Sequence, residues 1–434
     1  MATAATKEKQ WTIMVYLAGD NNLDGAGVTD LEEMKKVGST DQVNILAQFD
    51  RSGANIATKR YYIRKGGTTA KDVVDNLGET NMGDPKVLEN FVRWGIKTYP
   101  AKRYMLVLWN HGAGWDDTDI YRVARQSLHL NVKRRGTTVV PAQGTARGAI
   151  SLRRVRIVGS KRFRRALFRP SIEKAVSPGK QNRAIAFDDT SKDFLDNIEV
   201  KKILASTTKA LGREIDILGM DACLMSMLEV GYQVRGSVGI TVGSEELEPG
   251  DGWPYDTVLS TLVKKPTMTA QELASTIVKK YIVSYGAGYD VTQAACDLSK
   301  ATTMADAVNS LAKTLTSQLT NSAEKAALLQ VRRQVQSYDT VDYVDLYDLC
   351  DLLENQSQNA GIQSACRQVK EVISTNKFVI QEAHKGEKMT NSHGVSIYFP
   401  ERTISPLYAT LDFAKKTKWD EFLRAYQKST RRPD

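Results

Sequence analysis

The 434-residue sequence has few cysteines and few histidines, four of each. Four cysteines without a C-x-x-C pair are too few for a disulfide scaffold, and together with four histidines they argue against a Cys/His zinc site. No stretch approaches the roughly 20 apolar residues that a membrane-spanning helix needs, so we expect no membrane span. Residues 1–10 contain Lys7 and Lys9 but no apolar core, which predicts no secretory signal peptide in this chain.

Several widespread catalytic and nucleotide-binding motifs are also missing. The chain has no G-x-x-x-x-G-K-[ST] phosphate loop, no G-x-G-x-x-G after a strand, no H-E-x-x-H and no G-x-S-x-G. Their absence argues against P-loop nucleotide hydrolysis, dinucleotide binding, zinc proteolysis of that type and serine hydrolysis of the α/β-hydrolase type. Few other residue patterns in the sequence could carry a catalytic reaction.

Positive charge is concentrated in one segment of the chain. Residues 122–187 contain 17 Lys and Arg and a single acid, Glu173, so this insert carries +16 while the whole chain carries +10 and the remainder −6. Such a segment is typical of a cationic arm that binds nucleic acid or another acidic surface, which is the alternative function. The insert has few aromatic side chains for base stacking, Phe163 and Phe168 among them, so nucleic acid is the less favoured partner.

Outside the insert, apolar strands alternate with helical patterns. Predicted strands lie at 11–18, 43–49, 60–64, 104–109, 215–219 and 239–242, and predicted helices at 28–37, 86–99, 200–211 and 224–234. This alternation predicts an α/β fold with a doubly wound, mostly parallel sheet flanked by helices. Beyond residue 266 the pattern is mainly helical. We expect a catalytic domain at 10–265, with the insert at about 120–187, and a mainly helical C-terminal domain at 266–434.

Two predicted strands end in residues that suit nucleophilic catalysis. His111 follows the strand at 104–109, and Cys223 follows the strand at 215–219. Because ligands bind outside the carboxyl ends of parallel strands, both are expected in one site. An adjacent imidazole and a helix that begins directly after Cys223 would lower the pKa of the thiol. Gly112 and Cys223 would supply backbone N–H groups to an oxyanion. The alternative is that Cys223 is a packing residue.

Several stretches resemble the clostripain-like (C11) cysteine peptidases of clan CD. They are VYLAGDNNL at 15–23, NHGAGW at 110–115, DDTS at 188–191, DACLM at 221–225 and GVSIYFP at 394–400. The resemblance implies a caspase-like fold, a His111/Cys223 dyad and cleavage of proteins and peptides after Arg or Lys. It implies that the chemistry needs no cofactor. Some members of the family depend on calcium, although this sequence has no EF-hand loop. The resemblance also implies a secreted or periplasmic location, and a cytoplasmic location is left open.

The preference for Arg or Lys that the resemblance implies also has a physical explanation in the sequence. Asp221, two residues before Cys223, is placed to line a pocket for the P1 side chain, where Arg would gain a bidentate ion pair. Its alternative role is the N-cap of the following helix. Asp251, in the acidic loop after the next strand, is the second candidate, and its alternative is a solvated loop.

The basic insert fits a peptidase as its own substrate. We expect a zymogen whose insert covers the acidic pocket until cleavage after a basic residue releases it. A catalytically silent homologue is a third reading, and the intact His111, Asp221 and Cys223 argue against it. The candidate processing residues are Arg134, Arg135, Arg147, Arg153, Arg154, Arg164 and Arg165.

Overall fold

The computed structural model describes residues 8–53, 56–115, 186–188, 193–374 and 377–430. The strands in these ranges are β1 (Lys9–Gly19), β2 (Val43–Arg51), β3 (Thr58–Tyr62), β4 (Val73–Gly78), β5 (Ala101–Trp109), β6 (Ala186–Asp188), β7 (Asp193–Leu195), β8 (Ile215–Asp221), β9 (Val238–Gly243), β10 (Val291–Asp297), β11 (Tyr343–Asp345), β12 (Val379–Lys385) and β13 (Ser396–Tyr398). The candidate processing arginines and the DDTS stretch from residue 189 on lie outside the described ranges.

The helices are distributed over the whole described chain. They are α1 (Asp24–Val37), α2 (Pro85–Thr98), α3 (Asn197–Leu211), α4 (Leu228–Val234), α5 (Tyr255–Lys264), α6 (Ala270–Ser284), α7 (Ala301–Gln318), α8 (Ser322–Gln334), α9 (Leu346–Gln356), α10 (Ala360–Ile373), α11 (Asp412–Lys416) and α12 (Trp419–Thr430). Four short 3-10 helices lie at Thr69–Asp72, Leu298–Lys300, Glu387–Met389 and Tyr408–Thr410. Among the described helices, none has both the length and the apolar character that crossing a bilayer requires.

A nine-stranded mixed sheet forms the centre of the fold, in the order β12-β10-β9-β8-β5-β1-β2-β3-β4. The five central strands, β9 to β2 in this order, pair in parallel, and two strands at each edge pair antiparallel. Strands buried on both faces read as continuous apolar runs, as β1 and the second half of β5 do. The predicted doubly wound, mostly parallel sheet is confirmed.

Side chains of β1 alternate between two hydrophobic layers, one on each face of the sheet. Trp11, Ile13, Val15 and Leu17 pack into a cluster with side chains of α1, α5 and α6. The residues between them, Met14, Tyr16 and Ala18, pack into a second cluster with side chains of α2, α3 and the C-terminal helices. This period of two is the pleat of the strand, and it places helices on both faces.

The region after residue 266 is mainly helical, as expected, but it also contributes two strands of the central sheet, β10 and β12, that the sequence pattern did not reveal. β10 pairs antiparallel with β9, and β12 pairs antiparallel with β10. Strands from both sides of residue 265 therefore lie in the same sheet. The division into domains at residue 265 stays a prediction.

Candidate active site

The predicted catalytic residues follow two neighbouring strands of the sheet. β5 and β8 pair in parallel with Trp109 opposite Asp221, and Asn110 N–H donates to the Asp221 carbonyl over 3.3 Å. Because the two strands end at the same level, the loops that follow them meet. His111 and Cys223 line one cavity of about 20 Å³, together with Leu23, Trp109, Asn110, Asp221, Ala222, Glu248, Pro249, Gly250 and Gly252. A cavity of this volume holds about one water molecule.

His111 is held in one tautomer by a neighbour that the sequence did not identify. Its Nε2 lies 2.9 Å from Oδ1 of Asn22, in the turn that follows β1. An amide oxygen only accepts, so Nε2 carries the hydrogen and Nδ1 is the basic nitrogen. Burial lowers the pKa of His111 to about 3, which keeps the imidazole neutral and able to accept a proton. The GDNN turn was the only sequence signal for Asn22.

The sulfur of Cys223 receives a backbone hydrogen bond. Glu248 N–H donates to Sγ over 3.3 Å, and the Glu248 carbonyl oxygen lies 3.6 Å from Sγ. A donor directed at the sulfur stabilises a thiolate. The helix predicted to begin at Leu224 was wrong: α4 begins at Leu228. Leu224 has φ +64°, and it is the only non-glycine residue with positive φ in the described ranges. The chain therefore turns after Cys223, and α4 begins five residues beyond the thiol rather than directly after it.

The backbones of Gly112 and Cys223 lie in direct contact. A Cβ atom on Gly112 would come within 2.3 Å of the Cys223 carbonyl oxygen and 3.0 Å of the Cys223 nitrogen. Only glycine fits at this position without a shift of the backbone. The two segments that we expect to supply the oxyanion N–H groups are thus adjacent.

Asp221 lines the cavity and is almost fully buried. Its Oδ2 accepts hydrogen bonds from Tyr255 Oη over 2.8 Å and from Trp253 N–H over 3.3 Å, and its carboxyl also bonds that of Glu248. Burial raises the pKa of Asp221 to about 6. Asp221 is not the N-cap of α4, since that helix begins seven residues later.

Asp251 lines a second cavity, which adjoins the first. This cavity has a volume of about 310 Å³, and its acidic lining residues are Asp30, Glu33 and Asp251. Gly252 borders both cavities and has φ +58°. A Cβ atom added to Gly252 would lie 2.9 Å from Asp221 Oδ1. The two predicted pocket acids therefore line neighbouring cavities rather than the same one.

Three carboxyl groups near the ends of β1, β2 and β4 are close enough to share a cation. Oxygens of Asp20, Asp50 and Glu79 lie within 4.8 Å of one another. Oxygen ligands are what Ca²⁺ binds in proteins, so this donor set fits the calcium that the family resemblance implies. No such group was predicted from the sequence.

The other three cysteines are buried in β10, α9 and α10, where they are packing residues: Cys296, Cys350 and Cys366. Trp115, four residues beyond His111, is the last described residue before the basic insert. The Trp115 ring packs edge-on against Tyr398 and Tyr408, with ring centroids 4.8 Å and 5.0 Å apart. Trp115, which precedes the basic insert in the sequence, is thereby attached to the core close to the candidate site.

Comparisons with known proteins agree with this fold. The sequence profile of the Clostripain family matches residues 15–127 and 172–426, and leaves out the interior of the basic insert. Clostripain from Hathewaya histolytica is 25% identical over 459 residues, which cover 91% of this chain and 75% of that protein.

Two solved structures share the fold across nearly the whole chain. A secreted C11 cysteine protease from Bacteroides thetaiotaomicron, in complex with an irreversible peptide inhibitor, superimposes with a TM-score of 0.61 at 20% identity, covering 95% of this chain and 99% of that one. An inactive zymogen C11 protease from Parabacteroides distasonis gives a TM-score of 0.61 at 17% identity, covering 96% and 99%. With the matched profile, these findings show that the chain belongs to the clostripain family of C11 cysteine peptidases and has their caspase-like fold.

Proposed function

We propose that this cysteine peptidase is an endopeptidase that cleaves protein and peptide chains after Arg or Lys, with His111 and Cys223 as its catalytic dyad. The observation that carries the proposal is the single cavity lined by His111, Cys223 and Asp221, with the Gly112 backbone against that of Cys223. The basic preference is supported by the buried acids at this cavity and by the likeness to clostripain.

The proposed reaction uses side chains and backbone groups of the chain alone. Nδ1 of neutral His111 takes the proton from Cys223 Sγ, and the thiolate attacks the carbonyl carbon of the scissile bond. The oxyanion that forms faces the N–H groups of Gly112 and Cys223. The His111 imidazolium then donates its proton to the leaving amine. A water molecule, deprotonated by His111, hydrolyses the thioester and restores the thiol.

Fluorogenic peptides that differ only in the P1 residue test this function. We expect hydrolysis of P1 Arg and P1 Lys peptides, weak hydrolysis of P1 Gln and P1 citrulline peptides, and no hydrolysis by Cys223→Ala. The proposal is wrong if the wild-type protein, after limited proteolytic trimming of its insert, cleaves neither basic peptide, or if Cys223→Ala retains the activity.

We further propose that the protein is made as a zymogen and cleaves its own basic insert. The 17 basic residues of the insert supply the P1 chemistry, and a relative of the same fold is an inactive zymogen. Cleavage within one chain is a first-order process, because the substrate is tethered to the enzyme.

Fragment masses of wild type and Cys223→Ala, followed over time at several protein concentrations, test self-cleavage. Wild type should yield fragments that end in Arg or Lys at a rate independent of concentration, and Cys223→Ala should stay intact. Wild type that hydrolyses basic peptides while its own chain remains uncut would contradict this proposal alone.

Calcium would be held by Asp20, Asp50 and Glu79, where it would neutralise three acids close to the turn that carries Asn22. Micromolar to millimolar CaCl₂ should then raise the unfolding temperature of the wild type but not of Asp50→Asn. An equal shift of the unfolding temperature in both proteins would place the ion elsewhere.

We also propose export from the cell, because a relative with this fold is a secreted protease.

A further inference from the structure

Two buried asparagine amides join the turn that carries Asn22 to the loop that carries His111. Asn21 directly precedes Asn22 in that turn, and it is only 4% exposed. Asn110 directly precedes His111 after β5, and it is also 4% exposed. Asn21 Nδ2 donates to Asn110 Oδ1 over 3.3 Å. The two residues that precede the partners of the imidazole contact are therefore partners themselves.

Both amides bond the same carbonyl group near the end of β1. The backbone pairing of β1 with β5 ends at Leu17 and Trp109. One residue further on, the Ala18 carbonyl accepts from Asn110 Nδ2 over 2.7 Å and from Asn21 Nδ2 over 2.9 Å. A carbonyl oxygen has two lone pairs, so it can receive both amides. Side-chain hydrogen bonds thus continue the connection between the two strands beyond the end of their ladder.

The oxygen of each amide fixes the backbone beside a functional side chain. His111 N–H donates to Asn110 Oδ1. Leu23 N–H donates to Asn21 Oδ1 over 2.8 Å, and this bond closes the turn around Asn22. Because a carbonyl only accepts and an N–H only donates, these partners also determine which end of each amide is nitrogen and which is oxygen.

Asn110 connects β5 to its other neighbour as well. Its N–H donates to the carbonyl of Asp221 at the end of β8, the strand that leads to Cys223. Asn110 also lines the cavity that His111 and Cys223 share. A shift of Asn110 would therefore move His111 relative to both Asn22 and Cys223.

We propose that Asn21 and Asn110 form an amide clamp, a pair of positioning residues that holds the His111 imidazole where it can serve Cys223. This inference rests on the proposed His111/Cys223 dyad, and it adds two residues that exchange no proton in the reaction. A displacement of about 1 Å at a reacting group costs about 100-fold in rate. Loss of the amide clamp should therefore lower kcat and leave KM nearly unchanged.

Replacement of Asn110 by Ala removes the bonds of this side chain, and Asn44→Ala is the matched control. Asn44 is also a buried asparagine of the sheet, but its Nδ2 donates to Thr12 Oγ1 over 3.0 Å, near the beginning of β1 and β2. On a P1 Arg peptide, Asn110→Ala should lower kcat by about 10- to 100-fold, with KM changed by less than about twofold. Asn44→Ala should be less stable in urea unfolding and keep the wild-type kcat.

A double-mutant cycle shows whether the amide clamp acts through the contact between Asn22 and His111. Asn22→Ala alone should lower kcat about 10-fold. If the amide clamp serves this contact, the double variant Asn22→Ala/Asn110→Ala should be within about threefold of Asn110→Ala, because the contact is already displaced. Independent effects would instead multiply to a loss of about 100- to 1000-fold.

Asn110→Asp gives a readout that a merely structural role would not change. Its carboxyl keeps an acceptor for the His111 N–H, and it has a donor for the Ala18 carbonyl only when it is protonated. The kcat of this variant relative to wild type should therefore rise about 10-fold from about pH 8 to about pH 5, the size of one regained hydrogen bond. The same ratio for Asn44→Asp should stay flat.

A wild-type kcat in Asn110→Ala would overturn the inference, and so would an equal loss of kcat in Asn44→Ala. Multiplied losses in the cycle, or a pH-independent ratio for Asn110→Asp, would also overturn it. If Asn110→Ala does not fold, the pH ratios of Asn110→Asp and Asn21→Asp decide. Hydrolysis that persists in Cys223→Ala would refute the proposed dyad itself, which is a distinguishable outcome.

Discussion

Replacing Gly112 by Ala should disable the active site while the fold persists. The added Cβ would meet the Cys223 carbonyl oxygen at 2.3 Å, the Cys223 nitrogen at 3.0 Å and the Ala222 Cβ at 3.0 Å. All three are backbone or Cβ atoms, so no flexible side-chain end can rotate away. The two backbones must separate by about 1 Å to reach ordinary van der Waals contact.

The size of the effect follows from that separation. Overpacking of this kind costs about 1–3 kcal/mol of stability. A displacement of about 1 Å at a reacting group costs about 100-fold in rate, and loss of one oxyanion donor costs about 100- to 1000-fold. For Gly112→Ala we therefore expect kcat/KM on a P1 Arg peptide to fall by about 100- to 1000-fold, chiefly through kcat.

The assay combines peptide hydrolysis with urea unfolding, and Gly25→Ala is the control. Gly25 lies in the first turn of α1, and no atom lies within 4 Å of its added Cβ. This variant should keep wild-type kinetics and gain about 0.4–1 kcal/mol of stability, because alanine restricts the unfolded chain. A Gly112→Ala enzyme with wild-type kcat/KM would refute the contact between the two loops and the oxyanion site built on it.

Three further predictions concern the thiol, the imidazole and a buried acid. Cys223→Ala should abolish hydrolysis, whereas Cys296→Ala should leave kcat/KM unchanged, because Cys296 is a packing residue whose pKa burial raises to about 12. Asn22→Ala removes the partner of His111 Nε2 and should lower kcat about 10-fold with little change in KM in steady-state assays; an altered KM alone would count against this role. Burial raises the pKa of Glu229 from 4.5 to about 7, so its contribution to stability is present below pH 4.5 and is lost as pH rises through 7. Wild type should lose up to about 3 kcal/mol over that window relative to Glu229→Gln, as measured by urea unfolding, and parallel pH profiles would contradict it.

The central fold could be predicted because each buried strand carries its own signal. Apolar runs such as 104–109 are long enough to mark strands covered on both faces, and the alternation with helices then fixes a parallel sheet. Three of the outer, antiparallel strands, β4, β10 and β12, gave no such signal. Every second residue of β4 is exposed, and β10 includes Thr292 and Gln293, polar residues that are buried because they bond the segment at 244–248. Such burial depends on tertiary contacts that a local pattern does not contain.

The candidate site was predictable to the same extent, and for the same reason. Asp221 ends β8, and His111 and Cys223 each lie two residues beyond the end of a strand, so the topology alone places them at one edge of the sheet. Asn22 and Glu248 reach the site through loops, and their roles depend on how those loops fold back. The predicted helix after Cys223 failed because apolar residues at 224–227 resemble a helix start, although they are buried in an extended turn that precedes α4.

The segment that contacts the nucleophile is held in place mainly by residues from the C-terminal part of the chain. Thr292 Oγ1 accepts from the N–H groups of Glu245 and Glu246 over 2.9 Å and 3.0 Å, and Gly394 N–H donates to Glu245 Oε2 over 2.9 Å. Glu248, at the end of this segment, delivers an N–H to Cys223 and a carboxyl to Asp221. The mainly helical region after residue 266 thus takes part in positioning the thiol and the acids of the site, because it supplies Thr292 of β10 and Gly394, which precedes β13.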